Sequence, residues 1–314
     1  MTLDTRRPNA LRPQGIRSKP VRIARVFDDE AAVLRLIRGF GPYFTVGTYN
    51  NDEPPAPGAL HPAWYLVEPD CDLIIQNPRW ITAAREAFDC AIVHPIRCVV
   101  NLNPSAPAGF PHLDVPVFRG FSSPAAPIWL LMAMSRSGLF FDWLVPFASG
   151  IAWFWRGQGG EFEYWPDGPG GGTCAERAPL WNVGVVSDNE VMWHRVGAIG
   201  SPARQREFAD GVPAASKMHA VEKGWEIREA GQILIAYDAT EVRISIVWKG
   251  YVFKDEAHLA SFRDSAYHLD LERVVEILCD DLAARGLSAK RPANPLDDLE
   301  WRALLDRTYP SPFG

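Results

Sequence analysis

Between Val242 and Phe253 the side chains alternate: Val242, Ile244, Ile246, Trp248 and Val252 fall on one side of an extended strand, and Arg243, Ser245, Val247 and Lys249 on the other. An apolar face of that length needs a cover, while the face that carries two cations does not fit an apolar core. The strand is therefore expected to pack outward against helices and to look inward into a polar cavity.

The rest of the chain supplies strands in a similar style. Residues 43–49, 63–67, 98–103, 151–155, 161–165, 181–186, 191–196 and 231–237 all read as extended runs bounded by turn chemistry. Two pairs of neighbours, 151–155 with 161–165 and 181–186 with 191–196, have the spacing of hairpins, the second across Ser187-Asp188-Asn189-Glu190. Helices are expected over 28–40, 80–88, 272–285 and 296–306, with a short one near 205–209. No βαβ rhythm appears. The expected fold is mainly β with flanking helices: a double-stranded β-helix, that is a jelly roll of cupin-like form, between N- and C-terminal helices. Its core spans about 98–253, in a single catalytic domain of residues 21–314 preceded by an arm at 1–20 and closed by helices over about 255–308.

Residues 120–150 are strongly apolar, but Arg136, Asp142 and Pro146 interrupt them within the roughly 20 residues that a spanning helix needs. A buried helical insertion is expected, with a lid over the cavity or a self-association contact, giving a homo-oligomer, as the functional alternatives. A net charge of -6 without a basic stripe argues against a nucleic-acid partner. A small, partly apolar organic molecule fits better. The five cysteines, Cys71, Cys90, Cys98, Cys174 and Cys279, are odd in number and form no CxxC pair, so neither a disulfide framework nor a thiolate metal site is expected and the chain reads as cytoplasmic.

Within this frame one stretch carries chemistry. In Pro111-His112-Leu113-Asp114-Val115-Pro116 an extended backbone puts His112 and Asp114 on one side and Leu113 and Val115 on the other. His194, in the strand-like run 191–196, supplies a third donor, with Trp193 facing away from it. Two imidazoles and one carboxylate on one face of an iron leave the opposite positions open. The bland reading is two polar turn residues and one buried imidazole; for Arg243 it is an ion pair inside the sheet. The glycine clusters at 157–160 and 168–172 lack the sequence of a phosphate loop and read as connections.

The ordered set His112-Leu113-Asp114, His194 and Arg243-Ile244-Ser245, with Gly159-Gly160-Glu161-Phe162 between the ligand motifs, resembles the iron(II)/2-oxoglutarate-dependent dioxygenases over roughly residues 98–253. The resemblance implies Fe(II) held by His112, Asp114 and His194, 2-oxoglutarate held by Arg243 and Ser245, and oxygen as oxidant. It implies hydroxylation of an unactivated carbon, with 2-oxoglutarate leaving as succinate and carbon dioxide. That family usually places its cation about ten residues after the distal histidine. Arg204 and Arg206 stand near that offset and Arg243 lies 49 residues on, yet only Arg243 sits in an alternating strand, which implies an insertion before it. Two readings of other classes stand beside this one: a non-redox, cupin-like zinc enzyme and a jelly-roll binding protein without catalysis. Metal content separates the last from the others, and succinate formation separates the first two.

Overall fold

The computed structural model describes residues 18–45, 64–68, 71–206, 213, 215–287 and 291–313. Most of the arm expected at 1–20, the end of the strand expected at 43–49, the turn-rich stretch after it and residues 207–209 lie outside them. In chain order the strands are β1 (Val21–Ile23), β2 (Tyr43–Thr45), β3 (Trp64–Glu68), β4 (Ile92–Asn103), β5 (Phe147–Trp155), β6 (Phe162–Trp165), β7 (Cys174–Glu176), β8 (Leu180–Ser187), β9 (Trp193–Val196), β10 (Lys217–Val221), β11 (Gly224–Glu229), β12 (Gln232–Asp238) and β13 (Arg243–Phe253). They form one sheet of order β1-β8-β5-β13-β4-β3-β2-β10-β11-β12 and a second of order β7-β6-β9.

From β4 onward the chain passes back and forth between these sheets. It leaves β4 for the His112 segment, which bridges to β9 of the small sheet, returns for β5, crosses for β6 and β7, returns for β8, crosses for β9 and ends in β13. That path is a double-stranded β-helix. The hairpins expected from spacing are therefore absent: β5 pairs with β13 and β8, whereas β6 pairs with β7 and β9. β8 and β9 likewise lie in different sheets. Turn chemistry signals that the chain reverses, but it does not specify whether the returning strand joins the same sheet or the facing one.

β13 stands between β4 and β5 in fully antiparallel register, and its apolar face is covered as its alternation requires. The cover is the helix Pro78–Phe88, entered through the capping side chain of Asn77 and Pro78 in its first turn. Trp80 of that helix stacks on Trp248 with ring centroids 6.0 Å apart, and Trp248 Nε1 donates to the Ile75 carbonyl at 2.8 Å. Gly150 makes room for the indole: a Cβ there would come within 2.7 Å of the Trp80 ring.

The apolar segment after residue 120 divides in two. Its helix, Ile128–Ser137, buries Leu130, Leu131, Ala133 and Met134 against Val274, Leu278 and Leu282 of the helix Leu271–Ala284 and against Trp301 and Leu305 of the helix Leu299–Thr308. Phe147 to Gly150, expected to close the insertion, instead begin β5 in the middle of the large sheet. Among the described residues no helix is long and apolar enough to cross a membrane.

The 2.7 Å approach at Gly150 gives a direct prediction. Gly150→Val forces Trp80 off the sheet and should lower unfolding stability by about 1–3 kcal/mol in urea titration, the usual cost of overpacking.

Candidate metal centre and its cavity

The centre begins with a single pair of backbone contacts. His112 and His194 face each other across an isolated antiparallel bridge, His112 N donating to the His194 carbonyl at 2.9 Å and His194 N to the His112 carbonyl at 3.0 Å. Directly opposed residues project to the same side, so the imidazoles lie together with ring centroids 4.4 Å apart. Each ring is turned by its own backbone. His112 Nδ1 donates to the Phe110 carbonyl at 2.9 Å and His194 Nδ1 to the Met192 carbonyl at 3.0 Å, so in the neutral form of each ring the free lone pair is on Nε2. Asp114 joins them two residues on, its N–H donating to the Asn189 carbonyl at 2.9 Å and its Oδ1 standing 3.5 Å from His194 Nε2. Donor atoms of His112, Asp114 and His194 all lie within 4.8 Å of one another, close enough to share one ion.

The expected alternation holds for Leu113 and Trp193, which turn away and pack with Trp165. It fails at Val115: the segment is held by the isolated bridge at His112 and forms no strand beyond it, and Val115, 40 % exposed, lines the cavity.

The cavity, of about 370 Å³, is floored by the inner face of the large sheet in three rows fixed by register. One row is Arg97 and Lys249; the next is Val99, Val247 and Ile151; the third is Asn101, Ser245 and Trp153, and the same register continues outside the lining to Ser149 and Ser187, to Val185 and to Val183. Arg243 lies beyond the third row. Arg243 and Lys249 stand six positions apart, which puts their Cα atoms roughly 20 Å apart along the strand, with the two side chains entering the cavity from its opposite ends. Arg243, Ser245 and the three ligand-type residues expected from the sequence thus line one cavity.

The two cations of β13 are in different states. Lys249 Nζ donates to Asp114 Oδ2 at 2.6 Å, Ser149 Oγ at 2.6 Å and Glu190 Oε1 at 2.7 Å, which uses all its protons. Arg243 is 1 % exposed, its Nε donates to the Gly160 carbonyl at 2.9 Å, and its Nη2 is buried without a partner. Gly160 holds this contact at φ +73°, and a Cβ there would meet Arg243 Cδ at 3.0 Å, so both the backbone angle and the space call for glycine. Arg204 and Arg206 do not line the cavity; Arg204 pairs with Glu241 at 2.7 Å.

Charge states follow from these contacts. Partial desolvation of its ring and the neighbouring His194 hold His112 below the ordinary histidine range, which favours its neutral form. Burial alone would raise Asp114, but Lys249 and His194 outweigh it and keep the carboxyl well below the usual carboxylate range. Glu190 shares Lys249 yet shifts upward, because burial dominates there and the charge of Asp114 adds to it. Burial also pushes Arg243 down to about 9, against the pull of Glu161, which leaves it charged at neutral pH and in need of an anion.

Glu190 and Asn189 are the residues that sequence reasoning misplaced. Ser187, Asp188, Asn189 and Glu190 look like an exposed turn, but all four are buried. The available signal was Lys249 itself, a cation on an inner face that had to find acids.

No protein-family model matches the chain, and no curated protein sequence matches it. Solved structures do. A Pseudomonas putida prolyl-4-hydroxylase aligns with 75% of this chain and 94% of its own at 12% identity and a TM-score of 0.39. A 2-oxoglutarate-Fe(II) oxygenase-family oxidoreductase from Burkholderia pseudomallei aligns over 75% and 86% at 16% identity and 0.38. HygX from Streptomyces hygroscopicus, solved with nickel, 2-oxoglutarate and hygromycin B, aligns over 75% and 83% at 10% identity and 0.36. One of these three is named as a member of the 2-oxoglutarate-Fe(II) oxygenase family, and another is solved with 2-oxoglutarate bound.

Proposed function

We propose that this chain is an Fe(II)- and 2-oxoglutarate-dependent dioxygenase that hydroxylates an unactivated carbon of a small, partly apolar organic molecule. One observation carries the reading: a two-histidine, one-carboxylate cluster shares a cavity with a buried guanidinium that has an unpartnered Nη2. A zinc hydrolase or a simple binding protein has no evident use for that second feature. A dicarboxylate with a keto acid at one end uses both.

The residues fit each group. His112 and His194, each with Nδ1 tied to a backbone carbonyl, would offer Nε2 and Asp114 an ionised oxygen, a donor set suited to Fe(II) with positions left open. Arg243 supplies a planar, charge-assisted partner for the distal carboxylate of 2-oxoglutarate, with Ser245 beside it on the same strand face. Val99, Val247 and Ile151 form the apolar row that its methylenes would cross. Lys249 is unsuited to the anchoring role because its donors are already spent. When bound, iron and 2-oxoglutarate would activate molecular oxygen, one oxygen atom ending in succinate as carbon dioxide leaves and the other in the hydroxylated substrate. Substrate would enter past Val115, Val117 and Phe147, where exposed Arg97 also lines the cavity.

Metal titration under anaerobic conditions should find one Fe(II) per chain. His112→Ala, Asp114→Ala and His194→Ala should each abolish tight binding, and full retention in all three variants would remove the triad from consideration. Calorimetry with 2-oxoglutarate tests the anchor separately. Arg243→Ala should weaken binding by about 3–5 kcal/mol, the cost of losing one partner of a desolvated ion pair, with iron affinity nearly unchanged. Arg204→Ala and Arg206→Ala should leave the isotherm as in wild type. Succinate formed without added substrate would complete the case against the zinc reading.

A further inference from the structure

Each oxygen of Asp114 has a different neighbour. Oδ1 faces His194 Nε2 at 3.5 Å, whereas Oδ2 accepts from Lys249 at 2.6 Å. Lys249 has no freedom to release it. Ser149, its register partner on β5, takes a second proton at 2.6 Å, and buried Glu190 takes the third at 2.7 Å. A carboxylate beside a divalent ion can offer it one oxygen or both. If both bind, one of the positions left open by two imidazoles is consumed.

We propose that Lys249, held by Glu190 and Ser149, is a positioning residue that occupies Asp114 Oδ2 and thereby limits the carboxylate to one metal-facing oxygen. The inference rests on the metal assignment made above. It also carries a distinctive sign. A cation beside the site repels a metal ion, and a tied oxygen cannot bind one, so this arrangement gives up metal affinity to keep a coordination position open. An ion pair that served only to orient Asp114 would do the opposite, and its loss would weaken metal binding.

Cobalt(II) is the probe, because its visible absorption reports coordination number. It is titrated into wild type, Lys249→Met/Glu190→Gln and His112→Ala. The double substitution removes the Lys249 donor together with the buried carboxyl that holds it, which leaves the freed Oδ2 as the main change at Asp114. The expected result is Co(II) binding about tenfold tighter than wild type, the lower end of what changes around a metal ligand produce, with weaker visible absorption from an added ligand atom. Equal affinity with superimposable spectra, or weaker binding, overturns the proposal. Wild-type binding that His112→Ala leaves unaltered instead overturns the metal assignment. Should the double variant fail to fold, infrared difference spectra of wild type carrying carboxyl-labelled aspartate, with and without Co(II), decide the matter. A carboxylate splitting wider than that of the free ion supports one-oxygen binding, and a narrower one overturns it.

Discussion

Everything in the cavity depends on the reciprocal backbone bridge between His112 and His194. These residues are 82 positions apart, and no local preference brings them together. The path of the chain does so, because each crossing between sheets places the next strand opposite rather than beside the last. Once the bridge forms, the alternation of an extended chain fixes the rest. The two imidazoles must share a side, Asp114 must follow two residues later, and Leu113 and Trp193 must turn outward into their own apolar cluster. A register slip of one residue would exchange ligands for hydrophobes.

Electrostatics then divides the cavity. Lys249 neutralises the end where Asp114 and Glu190 lie, and the buried partners hold one another in place. Removing Lys249 would leave Asp114 and Glu190 facing each other without a cation in a low-dielectric site, a cost well above that of a surface ion pair. Arg243 at the other end is left incomplete: its Nε is satisfied by Gly160, its Nη2 is not. An ion pair inside the sheet would have been the plain structural use of that arginine, and the absence of a carboxylate at hydrogen-bond distance among the described residues speaks for a ligand instead.

Much of this was legible in the sequence, since period and residue type carry it. The alternation of β13 gave its covered and cavity faces, and the spacing of His112 and Asp114 gave their common direction. The sequence did not disclose which sheet each strand joins, because a reversal looks the same in both cases. The run from Ser187 to Glu190 was opaque for a related reason. Four polar residues in succession resemble a surface turn, and their buried partners are tertiary or local to the fold: Lys249 meets Glu190, Ser187 Oγ donates to Asn189 Oδ1, and the Asn189 carbonyl accepts from Asp114 N. Likewise the helix Ile128–Ser137 announced that it was apolar but not what it meets; its partners lie beyond residue 270.

The separation of Arg243 from His194 shows why sequence offset is a weak guide where register is a strong one. Between β9 and β13 the chain builds β10, β11 and β12, which extend the large sheet from its far edge through β2 and do not enter the cavity. That addition lengthens the connection without moving β13, whose place is set by eleven register pairs to β4 and eight to β5. Arg204 kept the offset and lost the geometry: it sits after Ser201 on the short helix Pro202–Gln205 and spends its charge on Glu241. Of Arg204, Arg206 and Arg243, the one that reaches the cavity is the one its strand carries there, however long the excursion that precedes it.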